Sequence, residues 1–128
     1  MTSKAKLETY GPKYPARRLL AIVGDRWTPI VLFSLADSVK RFSEIQRDIP
    51  DISKKMLIQV LRALEDGGLV KRKVYPVVPP KTEYRLTPDG QTLHEPVSEF
   101  CSWASQNEAF LDEIHRRRQA ASASKAPD

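Results

Sequence analysis

The chain has 128 residues, 41% hydrophobic and 29% charged, and its 21 Lys/Arg outnumber its 16 Asp/Glu to give a net charge of +5. These values fit one soluble domain with a modest core, and no apolar run approaches the roughly 18 residues of a membrane span. The single cysteine, Cys101, excludes an intramolecular disulfide and suits a reducing cytoplasm.

In chain order, residues 1–15 are polar, hold Gly11, Pro12 and Pro15, show no secretory-signal pattern, and are expected to form a flexible arm. Ala16 to Val23 predicts a short helix with Leu19, Leu20 and Val23 on one face and Gly24 closing it. Asp25 is placed to cap a second helix that runs to about Leu35, with Trp27, Ile30, Val31 and Leu35 inward and Pro29 tolerated in the first turn. A very short strand fits Asp37 to Arg41. Ser43 to Gln46 has capping-box chemistry for a helix that ends near Asp48, and Pro50 turns the chain.

Ser53 caps the next helix, which stops at Gly67-Gly68. Leu69 to Tyr75 alternates as a strand, with Leu69, Lys71, Lys73 and Tyr75 on one face and Val70, Arg72 and Val74 on the other. Thr82 to Leu86 is a second strand, after a loop from Pro76 to Lys81 too rich in proline to join a sheet. Thr87 and Pro88 then start a final long helix. On it Leu93, Val97, Phe100, Ala104, Asn107, Leu111 and Ile114 recur at alternating steps of four and three, a heptad seam, with Trp103 and Phe110 beside it. Residues 119–128 are small and polar and are expected to be disordered, leaving 16–118 as the folded domain.

Catalytic and metal-binding chemistry finds little footing. His94 and His115 lie 21 residues apart without metal-ligand partners at suitable spacing, and no glycine-rich phosphate loop is present. Cys101 and His94 sit two helical turns apart, about 10 Å, too far for a nucleophile–base pair. The expectation is a non-enzyme with no cofactor.

The charge is more telling. Lys40 to Arg85 holds eleven Lys/Arg against six Asp/Glu, so this unit carries the whole +5 and the remainder is neutral. A local basic field on helix–turn–helix–hairpin is suited to duplex DNA, because phosphate neutralisation supplies much of the binding free energy. In the helix after Ser53, Leu57, Val60, Leu61 and Leu64 share one face, which turns Lys55, Gln59 and Arg62 outward with Ile58 on the flank. Gln bonds adenine bidentately, and Arg or Lys bonds guanine. Lys54 and Lys55 in the first turn oppose the helix dipole at about 0.3–1 kcal/mol each, a cost that nearby anions offset. The plainer readings are a solvated helix face and, for Lys71, Lys73 and Lys81, edge-strand protection against aggregation.

Several motifs point further: Tyr14-Pro15, Gly24-x-x-Trp27-Thr28, Arg41-Phe42-x-Glu44-Ile45, Ile52-Ser53-x-Lys55-Met56-Leu57, and the run from Val74-Tyr75-Pro76 through Pro79-Pro80 to Leu86-Thr87. Over about residues 14–110 the chain resembles the HxlR-type winged-helix transcriptional regulators, relatives of the MarR group. The resemblance implies a mainly α fold with a small antiparallel β-hairpin (α+β), a winged helix-turn-helix with N- and C-terminal dimerisation helices. It also implies a homodimer on a pseudo-palindromic operator. Two positions depart from the family pattern. Tyr14 stands where some members carry a sensing cysteine, so thiol sensing there is excluded, and Ile58 replaces a common small hydroxyl residue.

The resulting expectation is a cytoplasmic, homodimeric DNA-binding repressor. Ser53, Lys54, Lys55, Ile58, Gln59 and Arg62 serve the major groove; Arg41 and Arg47 serve flanking phosphates; Lys71, Lys73 and Lys81 serve the wing. The seam and its flanking aromatics serve the dimer, with Asn107 fixing register. The rival is a winged-helix module that binds an acidic protein instead of DNA. No residue identifies an inducer, and Cys101 reads as a small buried hydrophobe rather than a redox sensor.

Overall fold

The structure, a computed structural model, describes residues 9–124. The expected arm is therefore described only from residue 9, and the last four residues of the expected tail lie outside the described residues. The first helix, α1 (Pro15–Val23), opens on a proline in the first turn and closes where the Gly24 N–H reaches Leu20 O at 2.7 Å. None of its side chains is buried, and Leu20 and Ile22 are 59% and 48% exposed. The second helix, α2 (Thr28–Ser34), is held at its start by Asp25, whose carboxylate accepts the Trp27 and Thr28 N–H groups at 3.0 Å each. Val31, Leu32 and Leu35 point into the core, whereas Ile30, expected inward, is 41% exposed beside α1.

A two-residue strand, β1 (Lys40–Arg41), leads into α3 (Phe42–Asp48). The expected Ser43–Gln46 box is shifted by two residues. Arg41 occupies the cap position and its N–H donates to Glu44 Oε1 at 2.8 Å, which places Ser43 inside the helix. Lys40 pairs with Asp48 across this helix, and the Ser34 hydroxyl donates to the same carboxylate at 2.8 Å. Those contacts, Lys40 first, hold the Asp48 carboxyl below its ordinary range.

Helix α4 (Lys54–Asp66) begins where Ser53 Oγ accepts the Met56 N–H at 3.0 Å. It ends at Gly67, and Gly68 has φ +74, the left-handed conformation that glycine adopts without a Cβ clash. Strands β2 (Val70–Tyr75) and β3 (Lys81–Leu86) pair antiparallel, with β1 on the far edge of β3. Lys81, expected in the loop, joins β3 opposite Tyr75.

Thr87 fixes the hairpin to the helices on either side. Its hydroxyl donates to Gly68 O at 2.6 Å and accepts the Gly90 N–H at 3.1 Å, while its own N–H reaches Leu69 O at 3.0 Å. Gly90 is required by this close approach, since a Cβ there would lie 2.0 Å from Leu69 O. The core fills the space between these elements. Val31, Leu32, Ile45, Leu57, Leu61 and Leu64 are each at most 2% exposed, and each such burial is worth about 1.5–3 kcal/mol.

The expected single C-terminal helix is two, α5 (Pro88–Gln106) and α6 (Glu108–Ser124). Asn107 leaves helical geometry (φ −129, ψ 36), and its side-chain amide donates to Trp103 O at 2.7 Å. An Asn that competes for backbone partners in this way ends a helix, so it cannot set register along a continuous seam. The seam is divided as well. Val97 is buried and Leu93 and Cys101 pack against the same core, while Phe100, one turn along the same stripe from Val97, is 70% exposed. The tail expected to lack order is helical through Ser124.

Candidate nucleic-acid interface

Helix α4 is anchored on one side and open on the other. Leu57, Val60, Leu61 and Leu64 are buried, which leaves Lys54, Lys55, Gln59 and Arg62 exposed and Ile58 partly so. This is the face that the 3.6-residue period predicts. Ser53 is engaged through its hydroxyl as the cap, so its side chain has a structural task at the helix start.

The outer face divides into two stripes. Lys55 and Gln59 stand on the open side. Lys54, Ile58 and Arg62 line a crevice of about 320 Å³ between α4 and the hairpin, whose other wall includes Arg72, Thr82 and Tyr84. Sequence reasoning passed over Arg72 and Tyr84. The strand alternation had put Arg72 on the face shared with buried Val70, and that face is the one that turns to α4. Arg72 Nε lies 3.5 Å from Glu65 Oε2 on the last turns of α4. The Tyr84 phenol is pushed above its ordinary value by burial, with Glu65 adding and Arg72 and Arg62 opposing.

The hairpin carries its own charge cluster. Lys73 Nζ and Lys81 Nζ each lie 4.8 Å from the centroid of the Tyr75 ring. The Tyr75 hydroxyl donates to Glu83 Oε1 at 2.8 Å, and Lys81 approaches the same carboxylate at 3.5 Å. The Tyr75 hydrogen bond, aided by Lys81, holds the Glu83 carboxyl below its usual range. Glu83 therefore tethers Lys81 and offsets part of its charge, while Lys71 and Lys73 are exposed. Beyond them the tip is apolar, with Val78 99% exposed next to a cis Val78–Pro79 bond. Arg41 and Arg47 are exposed on β1 and α3 respectively.

A second, apolar surface lies away from these cations. Leu19, Leu20, Ile30, Phe100 and Cys101 help to line an open groove of about 500 Å³ between α1, α2 and α5. On the neighbouring helix junction, Trp103 and Phe110 meet edge to face with centroids 6.0 Å apart, each 51% exposed, and Leu111 is 39% exposed. Ala104, Asn107 and Ile114 are partly buried within the chain. Leu93 and Val97, expected at a dimer seam, pack against the protomer's own core, and Val97 also lines the groove.

Among the described residues no cluster of three or more His, Cys, Asp or Glu is placed to hold a metal ion, and no helix is long and apolar enough to cross a membrane. His94 stacks on Phe33, with centroids 6.2 Å apart.

Comparison with known proteins adds an independent line. The model of the HxlR-like helix-turn-helix family matches residues 22–111. The uncharacterized HTH-type transcriptional regulator YkvN of Bacillus subtilis is 49% identical over 82 residues, covering 64% of this chain and 70% of its own. The uncharacterized HTH-type regulator YtfH of Escherichia coli is 41% identical over 98 residues, covering 77% and 78%. A solved MarR-family regulator from Porphyromonas gingivalis superimposes with a TM-score of 0.74 at 36% identity, covering 78% of this chain and 98% of that one.

Proposed function

The chain belongs to the HxlR-like helix-turn-helix family of transcriptional regulators, and we propose that it works as a cytoplasmic homodimer that binds an inverted-repeat operator in double-stranded DNA and represses transcription there. The observation that carries the reading is the outward row of α4, Lys54, Lys55, Gln59 and Arg62, on a helix whose opposite face is locked into the core. In the proposed complex α4 enters the major groove with Ser53, Lys54, Lys55, Ile58, Gln59 and Arg62 on its groove side. Gln59 reads base edges, and Ile58 offers an apolar contact to a thymine methyl. Arg41 and Arg47 meet flanking phosphates, and Lys71, Lys73 and Lys81 bring the wing to the adjacent backbone or minor groove.

The apolar surface supports the dimer. Phe100, Trp103, Phe110 and Leu111, with Leu19, Leu20 and Ile22 of α1, are solvent-exposed in one protomer. An apolar face of this kind is most simply covered by a second copy across a two-fold axis, which matches an inverted repeat in DNA. In the proposed interface Leu93 and Val97 support the face from the core side, and α1 adds to it. Repression needs only that the dimer occupy promoter DNA.

Selection of bound fragments from random duplex DNA with the purified protein tests the reading. The expected product is an enriched inverted repeat bound with a steep salt dependence. A winged-helix module that binds only protein enriches no sequence at all.

A further inference from the structure

Each sugar–phosphate strand of B-DNA separates a major from a minor groove. A protein that sets one helix in the major groove and a hairpin at the neighbouring minor groove must let that strand pass over the gap between the two. In this chain the gap is not empty of chemistry. It is the crevice lined by Lys54 and Arg62 from α4 and by Arg72, Thr82 and Tyr84 from the hairpin. Two other cations of the hairpin, Lys73 and Lys81, are organised differently, around Tyr75 and Glu83.

We infer that this crevice is a phosphodiester clamp, in which Lys54, Arg62 and Arg72 grip one backbone phosphate per protomer where the strand crosses from α4 to the wing; this rests on the DNA-binding reading above. Arg72 is the central residue. It is 48% exposed at its side chain, and Glu65 at 3.5 Å aims its guanidinium from α4. A guanidinium matches phosphate with paired N–H donors, and hydrogen bonds between ions are about twice as strong as neutral ones. The hydroxyls of Thr82 and Tyr84 sit on residues of the same wall and supply neutral donors. Glu65 has the opposite charge effect. It orients Arg72 while placing a carboxylate beside the phosphate path, so it limits affinity for DNA of any sequence. Because a backbone phosphate is common to all sequences, the clamp fixes register and strength without reading bases.

The test uses the full chain and a duplex recovered by the selection above, with single phosphates replaced in turn by neutral methylphosphonate. For the unaltered protein one replacement per half-site, at the crossing between grooves, weakens binding about tenfold. Arg72→Ala weakens binding to specific and unrelated duplexes alike, lowers the salt slope by about one unit per protomer, and reduces the penalty of that one replacement without abolishing it, since Lys54 and Arg62 remain. Arg72→Lys restores much of the slope, and Glu65→Gln tightens binding to all duplexes. Circular dichroism of each variant separates these effects from misfolding. The clamp is overturned if duplex binding by the unaltered protein is intact and Arg72→Ala changes neither slope nor methylphosphonate pattern, or weakens one base sequence alone. Competition by millimolar inorganic phosphate at matched ionic strength would make the crevice a free-anion site, which also overturns the assignment. Absence of duplex binding by the unaltered protein removes the DNA reading itself, and the clamp with it.

Discussion

The α3–α4–hairpin half and the α1–α5–α6 half of this molecule differ in what they leave open to solvent. In the first half Leu57, Val60, Leu61 and Leu64 of α4 are buried and its outer surface is mostly charged, with Glu65 and Glu83 already paired to Arg72 and Lys81. In the second half large apolar side chains remain exposed. Leu19, Leu20 and Ile22 on α1 and Phe100, Trp103, Phe110 and Leu111 on α5 and α6 are all at least 39% exposed. The first half covers the apolar face of α4 within one protomer, and the second leaves an apolar face that the proposed second copy would cover. In the proposed dimer, DNA contact and self-association are therefore separable by mutation.

The largest separation is expected from Phe100→Glu. A charge on the open apolar face should give monomers by sedimentation, and operator affinity should fall by about a hundredfold or more through lost avidity although α4 is untouched. Leu61→Ala attacks the other half from beneath. It should cost about 2–5 kcal/mol of stability in urea denaturation, and a loss well under 1 kcal/mol would show that the core below α4 is loosely packed. Gln59→Ala should leave stability alone, cost about 1–3 kcal/mol of operator binding and relax preference at one base pair per half-site.

Asp25 holds the start of α2. Burial works against its charge, but the hydrogen bonds from Thr28 and Trp27 outweigh it and hold its folded pKa below the ordinary 3.8. Its contribution is therefore fully present above that value and is lost as pH falls through the lower folded value. Asp25→Ala should cost about 1 kcal/mol near neutrality, and the gap from the parent should close below about pH 4. An unchanged gap at pH 3 would assign the loss to something other than ionisation. The smallest effect belongs to Cys101→Ser. Burial pushes that thiol up, away from the reactive thiolate, so operator binding should be unchanged and mild peroxide should not release DNA from the parent protein.

The anchored side of α4 was legible in the sequence because a single helical period decides it. The spacing of Leu57, Val60, Leu61 and Leu64 sends the polar row outward, and the burial of each follows that spacing. The crevice was not legible, because it depends on how the hairpin leans on α4. That angle is set by Thr87 bonding Gly68 and Gly90 and by the approach of Gly90 to Leu69 O. The C-terminal seam misled for a related reason. A four–three repeat places Leu93, Val97 and Phe100 on one nominal stripe, yet it does not say which edge of that stripe the protomer's own core will take. Nor does it foresee Asn107 bonding Trp103 O to end the helix.

The central claim, that two copies with separate DNA-facing and partner-facing halves act together on symmetric DNA, is tested most directly by the mass of the protein–DNA complex. Sedimentation of the protein with the selected duplex, and with the same duplex carrying one scrambled half-site, gives the stoichiometry on each. The account predicts two protomers per symmetric duplex, half-sites about one helical turn (roughly 10 base pairs) apart or a multiple of it, and a steep loss of affinity on the scrambled one. A single protomer bound equally well to both duplexes would contradict it.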